Sequence, residues 1–430
     1  MFKKRNSILL FITVFADMMG FSVIFPIFPE TIKYFLAISG DPVFNYFYQL
    51  ALSLGGLEKP EFIVVLFGGI LGSVYSVLQF IFSPFWGRLS DSLGRKNILI
   101  FTSAGNLIGY LVWLFSSSFS LFLLSRVITG SMGGNISVAS ASMADITTSQ
   151  DRAKGMGMIG AGIGLGFIFG PLLGGLFSGT ELHNLFPSLS GFGFTVFSSS
   201  ALVSLLVAII NLILIIFLFH ETLSSSDKKE KIESPFSHPI LSSSKQSFRV
   251  LLFVSYIYFL FIFSFSGFEF CLNFFLNEAK SFTPREIGMT FLYIGLIIIF
   301  VQGGIVRRVS GKVSEIKIIL SGVTIISLGY IGLIFLSDGN FGLFASLGFM
   351  SFGSALIHPG LSSLASLRSS SQEQGKNLGI FRSFGSLARA FSPISFALVY
   401  FGYGPYFVFI LALGFSIFLG VSLLVWSRNE

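Results

Sequence analysis

Five residues place charge or a titratable ring inside stretches that are otherwise apolar: Asp17, Arg126, Glu269, His358 and Arg389. Insertion of an Asp or Arg at the centre of a membrane span costs about 2.5–3.5 kcal/mol, so a residue kept there is a functional candidate by default. A carboxylate can take up and release a proton, whereas an arginine keeps its proton and can only bias a partner. Asp17 lies one residue from the middle of the apolar run 7–29, and Arg389 lies at the middle of the run 377–401. The two are expected at the same depth, one in each half, as in a midplane site between repeats. Arg126 is six residues outward of the centre of its run, about 9 Å at 1.5 Å per residue, from which a long side chain just reaches towards Asp17. Asp17 is expected to serve proton or substrate coupling rather than a structural ion pair. Arg126, Arg389 and Glu269 read equally well as coupling or as structural groups, Glu269 sitting as far outward in the seventh run as Arg126 does in the fourth. His358, beside Pro359, reads first as a packed or capping residue and second as a coupling group.

The elements that hold these residues follow from composition. The chain has 430 residues, 53% hydrophobic and only 11% charged, where a soluble domain carries about 25% charged residues. It must therefore be solvated by lipid. A spanning helix takes about 20 apolar residues, and twelve runs of that size are found: 7–29, 61–86, 97–116, 120–144, 155–178, 198–220, 250–276, 286–306, 316–336, 341–366, 377–401 and 404–427. The fold class expected is an all-α membrane protein of twelve transmembrane helices in two pseudo-symmetric six-helix bundles. The first bundle is 1–220 and the second 248–430. Between them, 221–247 is rich in Ser and Lys and reads as a flexible linker. Lys3, Lys4 and Arg5 precede the first run, but no small-residue cleavage site follows, so it reads as an uncleaved span.

Orientation comes from the basic residues. With the amino terminus inside, twenty-one of the 27 Lys and Arg fall in inner segments and four in outer ones. The positive-inside bias then puts both termini and the linker in the cytoplasm, in a multi-pass protein of the inner (cytoplasmic) membrane. The net charge of +7 has the same origin, so no nucleic-acid partner is expected. The single cysteine, Cys271, excludes an intrachain disulfide, a CxxC pair and a cysteine-built metal site. No metal or cofactor is expected. There is no Walker loop to bind ATP, and four histidines outside any catalytic element argue against an enzyme.

Three stretches outside the charged set stand out. Gly87-Arg-Leu-Ser-Asp91-Ser-Leu-Gly94-Arg95-Lys96 reads as a basic loop between spans two and three. Its glycines permit a tight turn, Asp91 is expected at a helix N-terminus, and Arg88, Arg95 and Lys96 are available to pair with it or with carbonyls of a neighbouring bundle. The loop is echoed 217 residues later by Gly304 to Lys312, which suggests a duplicated six-helix unit. The fifth run carries glycines at 162, 166, 170 and 174, a spacing that lets another helix approach backbone to backbone. Pro171 removes a backbone donor and is expected to bend that helix.

On these motifs the sequence resembles the major facilitator superfamily, whose hallmark is the Gly87–Lys96 element. The resemblance implies a gating latch formed by Gly87, Arg88, Asp91, Gly94, Arg95 and Lys96. Asp17, Gly20, Pro26 and Pro29 look like the first-span pattern of tetracycline-efflux proteins, and Arg126 to Gly134 resembles the family's R-x-x-x-G-x-x-G element. Gly164 to Gly175 is similar to the fifth-span motif of the drug:proton antiporters. That likeness implies a hinge at Gly166, Gly170, Pro171, Gly174 and Gly175, and tilts the reading towards export. The function expected is secondary active export of an amphipathic small molecule, a drug or tetracycline-like compound, in exchange for protons by alternating access, by a monomer in the lipid bilayer. The alternative on the same fold is proton-coupled uptake of a small metabolite. One departure stands out: run 316–336 has no acidic residue inside it, only Glu315 at its border, where the tetracycline pumps carry one, which counts against tetracycline itself.

Overall fold

The computed structural model describes residues 2–38, 40–53, 63–148, 151–180, 182, 193–223, 247–309, 312–368 and 374–429. Among them there is no β-strand, and eleven helices are long and apolar enough to cross a membrane. The first crossing is longer than the run 7–29 suggested. Helix α1 (Phe2–Ser22) passes through a 3-10 turn at Phe25–Ile27 into α2 (Phe28–Ala37). Pro26 and Pro29 each fall at the start of a helical segment, where a missing N–H costs nothing, so they restart the helix rather than end it.

A short helix without a counterpart in the apolar runs follows, α3 (Pro42–Ala51). Asp41 caps it by accepting from the N–H groups of Val43 (2.9 Å) and Phe44 (3.1 Å). The long α4 (Ile63–Leu93) and α5 (Arg95–Leu114) are separated by Gly94 alone. The fourth crossing is made in two pieces, α6 (Phe119–Ser131) and α7 (Asn135–Ile146). Each is too short to cross alone. Helices α8 (Arg152–Phe177) and α9 (Ser198–Leu218) complete the first half.

The second half comprises α10 (Ser247–Phe274), α11 (Pro284–Phe300), α12 (Glu315–Leu336), α13 (Asn340–Leu367), α14 (Gln374–Tyr403) and α15 (Pro405–Asn429). Helices α10 and α11 each run on into a π-helical turn, at Phe275–Ala279 and Val301–Val306. Most of the linker 221–247 and Gly311 of the echoed loop lie outside the described residues.

Packing divides the chain into two compact units. The first takes residues 1–57, 74–238 and 276–289, and in it α1 packs on α7, α8 and α9, while α5 packs on α6, α7 and α9. The second takes residues 58–73, 239–275 and 290–430, built on the pairs α12–α13, α10–α14 and α12–α15. In the first unit an aromatic cluster fastens α2 and α3 to α6: Phe119 meets Phe35 at 5.6 Å and Phe44 at 5.3 Å between ring centroids, both edge-on. Asp41 adds a polar tie by accepting from the backbone N–H and hydroxyl of Ser120, both at 2.8 Å. In the second unit, Gly69 on the first turns of α4 lets that helix lie against α14. A Cβ there would come 3.1 Å from the Pro393 carbonyl.

Candidate functional site

Asp17 sits in the last third of α1, near the middle of the crossing Lys3–Ala37, and is buried. One carboxylate oxygen, Oδ1, accepts from Asn106 Nδ2 at 2.7 Å and from Asn135 Nδ2 at 3.1 Å. The other, Oδ2, is buried without a partner, and so is the Asn106 carbonyl Oδ1. Asn106 is carried by α5. Asn135 is the first residue of α7, directly after the interruption at Met132–Gly134, and its Oδ1 accepts from the Thr102 hydroxyl at 2.6 Å. Helices α1 and α5 both pack on α7, which brings the three together. The interruption lies so near α4 that a Cβ on Gly133 would stand 2.8 Å from Gln79 Cγ.

The fifth-run glycines seat α1. A Cβ on Gly162 would stand 3.0 Å from the Phe11 carbonyl, and one on Gly166 would stand 2.9 Å from the Phe15 carbonyl and the Met19 nitrogen. Ser22 adds a hydrogen bond to the Gly166 carbonyl at 3.1 Å. Gly170 and Gly174 continue the contact along Met19 to Val23. Pro171 is contained within α8, and Gly175 faces Gly288 of α11, whose Cα a Cβ would approach to 2.9 Å. Glycine at these positions is a requirement of interhelical distance.

Arg126 is also buried, but among the described residues no ion pair joins it to Asp17. Its guanidinium lies over Trp113, 4.3 Å from the ring centroid, and 5.5 Å from that of Phe122. Nε donates to the Ser125 hydroxyl at 3.4 Å, and Nη2 is buried without a partner. The pairing that helix spacing allowed is thus replaced by cation–π stacking. Tyr110 on α5 stands within the electrostatic reach of both Asp17 and Arg126.

In the second unit Arg389 stands within electrostatic reach of both Glu269 and His358. Glu269 feels the charge of Arg389, although no ion pair joins them, and His358 feels both Arg389 and Arg382. Those two arginines are seven residues apart on α14, two turns along one face. The Tyr258 hydroxyl hydrogen-bonds His358 Nε2 at 3.2 Å, and its ring stacks on Phe381 at 4.0 Å and 20°. Two guanidiniums, an imidazole and a phenol thus lie within electrostatic or hydrogen-bonding reach of one another, a set suited to an anionic or hydrogen-bonding group.

The Gly87–Lys96 element is almost entirely helical, which corrects the reading of Asp91. Asp91 lies in the last turns of α4, not at a helix N-terminus, because α4 continues through Gly87 and Arg88 to Leu93. Only Gly94 makes the turn, at φ +98°, a conformation that side chains rarely adopt. The anion at the N-terminus of α5 is instead Glu221, whose carboxylate accepts from the N–H groups of Arg95 (3.0 Å) and Lys96 (3.2 Å). Arg95 is buried and pairs with Asp91 (2.6 Å) and Asp145 (3.0 Å), also donating to Ser90 Oγ at 2.6 Å. Lys96 Nζ donates to the Ile216 carbonyl at 2.8 Å, and Thr222 donates to Asp145 at 3.1 Å. Arg88 is half-buried on α4. Beside this cluster, Asn6 of α1 and His220 exchange two hydrogen bonds, of 2.9 and 3.2 Å.

Asn106, Asn135, Tyr110, Glu221, Tyr258 and Arg382 were not apparent from sequence. For Asn135 a signal existed: a polar residue following Gly133-Gly134 in mid-span.

Residues 10–393 match the family described as Major Facilitator Superfamily. The chain is 30% identical to the Mus musculus protein "Major facilitator superfamily domain-containing protein 10" over all of this chain and 94% of that one. It is 25% identical to "Tetracycline resistance protein, class B" of Escherichia coli, over 92% of this chain and 88% of that one. Among solved structures, the human organic anion transporter MFSD10 (TETRAN) superposes with a TM-score of 0.79 at 27% identity, covering 98% of this chain and 99% of that one.

Proposed function

The chain belongs to the major facilitator superfamily and is a multi-pass membrane transporter, and from that premise we propose that it exports an amphipathic organic compound in exchange for protons. The observation that carries this reading is the state of Asp17: a carboxylate buried within a membrane helix, held by two neutral amides and, among the described residues, paired with no cation. A charge in that position is costly, so taking up a proton and giving it up again change the energy of the surrounding helices most strongly there. Two bundles rocking about a midplane cavity convert that change into alternating access.

Export is favoured by the relatives, which include a tetracycline resistance protein and a "Multidrug resistance protein 2" of Bacillus subtilis. The two arginines of α14, together with Tyr258 and His358, favour a cargo with an anionic group, in keeping with the organic anion transporter among the structural neighbours. The protein acts as a monomer with both termini in the cytoplasm. One proton moving down 100 mV supplies about 2.3 kcal/mol, about a fifty-fold concentration ratio.

The test is transport in proteoliposomes with an imposed pH gradient, using a panel of amphipathic anions and neutral compounds. Accumulation that follows the proton gradient and is lost in Asp17→Asn supports the reading. Coupled transport that survives Asp17→Asn removes Asp17 from it.

A further inference from the structure

Two buried atoms next to each other in the bonding network lack partners, Asp17 Oδ2 and Asn106 Oδ1. Buried polar atoms are nearly always satisfied, so a pair of orphans on two residues already joined by a 2.7 Å bond calls for an explanation. Both are acceptors. A carboxylic acid and a primary amide form a planar two-bond pair, in which the amide N–H donates to the acid carbonyl and the acid O–H donates to the amide carbonyl. The first of those bonds is present as Asn106 Nδ2 to Asp17 Oδ1. The second bond of such a pair would run between the two orphans, and a single hydrogen would complete it. A proton is also the one occupant that needs no cavity.

Asn135 is placed differently. It donates to the same Oδ1 at 3.1 Å, and its own carbonyl oxygen is already engaged by Thr102. Its amide is turned to offer Asp17 a donor, and a donor bonds a charged carboxylate about twice as strongly as a neutral group.

We propose that Asn106 and Asn135 read the protonation of Asp17 in opposite senses. Asn106 favours the neutral acid by completing the two-bond pair, and Asn135 favours the anion. A proton arriving from water adds to Oδ2, and the hold of α1 passes from α7 to α5. Asn135 opens α7 at the interruption of the fourth crossing, so the segment released by protonation is the one already separated from α6. This inference rests on Asp17 being the proton site of the proposed function. The elements packed around Asp17 carry few other ionisable groups, among them Tyr75 of α4, which stacks on Phe21 of α1 at 4.4 Å. On α5, Tyr110 faces both Asp17 and Arg126, and Arg95 and Lys96 are engaged at the opposite end by Asp91, Asp145, Glu221 and Ile216. Arg126 of α6 stacks on Trp113. Asp145 of α7 belongs to Arg95, α8 carries Arg152 and Lys154 only in its first turn, α9 carries no charged residue, and α1 itself adds Lys3, Lys4 and Arg5 at its start.

Infrared difference spectroscopy of the purified protein in lipid nanodiscs reads this directly, with the Asp17 carboxylic band assigned by its loss in Asp17→Asn. Asn106→Leu is expected to move the pH at which that band disappears in the acid direction, by about one unit or a tenfold lower proton affinity, and to raise its frequency. Asn135→Leu is expected to move it by a similar amount in the alkaline direction. Shifts in the same direction overturn the proposal, since two plain donors to a carboxylate both act that way. If a variant fails to fold, the wild-type band decides: the frequency of a doubly bonded acid supports the pair, and that of an acid with a free O–H overturns it. An Asp17 that shows no titration from pH 4 to 10 removes the proton reading as well, whereas titration with parallel shifts removes only this inference.

Discussion

Glu221 caps the helix that Arg95 opens. The two residues are 126 positions apart, yet the carboxylate of one accepts the first two N–H groups of the helix begun by the other. Gly94, which precedes Arg95, has no side chain to do this itself, and its positive φ disfavours any replacement that would. Replacing Glu221 by Ala is expected to cost about 0.5–2 kcal/mol, the range for loss of a helix cap. Glu221→Gln should recover part of it, since an amide oxygen still accepts. Thermal melting of the purified variants measures both, and equal melting of Glu221→Ala and wild type contradicts the capping role.

Asp17→Asn is expected to abolish proton-driven transport while leaving the protein folded. The amide is isosteric, and one oxygen remains to accept from Asn106 or Asn135. Chromatographic behaviour and melting should match the wild type, and pH-gradient-driven uptake into inside-out vesicles should fall to background.

The glycines of α8 separate into two kinds. Gly166 faces the backbone of α1, whereas Gly164 has open space where a Cβ would go. Gly166→Val is expected to destabilise by at least about 1–3 kcal/mol through overpacking. Gly164→Val on the same helix should be close to neutral. Comparable melting temperatures for the two variants would contradict the close approach of α1 and α8.

Asp41 lies outside the spans. Burial pushes its carboxyl up, but the hydrogen bonds from Ser120, Phe44 and Val43 outweigh that and hold it below its ordinary value of 3.8. A depressed carboxyl contributes stability that is fully present above the unfolded value and is lost as pH falls through the folded one. The melting difference between wild type and Asp41→Asn should therefore be constant from neutral pH down to about 5, and shrink towards zero below about 3.8. A difference that grows on acidification has the wrong sign for this linkage.

The crossings were legible because lipid imposes a minimum apolar length on any helix, a constraint written locally in the chain. Asp17 and Arg126 were legible for the same reason, since charge inside such a run is conspicuous. Their partners were not. Asn106, Tyr110 and Trp113 are ordinary residues on α5, and only the packing of α5 against α1 and α6 shows that two face the carboxylate and one the guanidinium. Arg126 could reach Asp17 by length alone, but the aromatic faces beside it intercept the guanidinium. The turn after α4 was misplaced because Gly87 and Gly94 look alike in sequence, while only Gly94 adopts a left-handed backbone. Glu221 was assigned to a linker, where its distance from Arg95 concealed the bond between them.

The interruption at Met132–Gly134 gives the fourth crossing a property its neighbours lack. Pieces of 13 and 12 residues reach only about 20 Å each at 1.5 Å per residue, short of the hydrocarbon thickness of about 30 Å. Neither can persist in lipid by itself, so each borrows its place from the walls around it. The piece bearing Asn135 and the piece bearing Arg126 are thus held by different walls and joined through the hydrogen-bonded turn at Met132–Gly134.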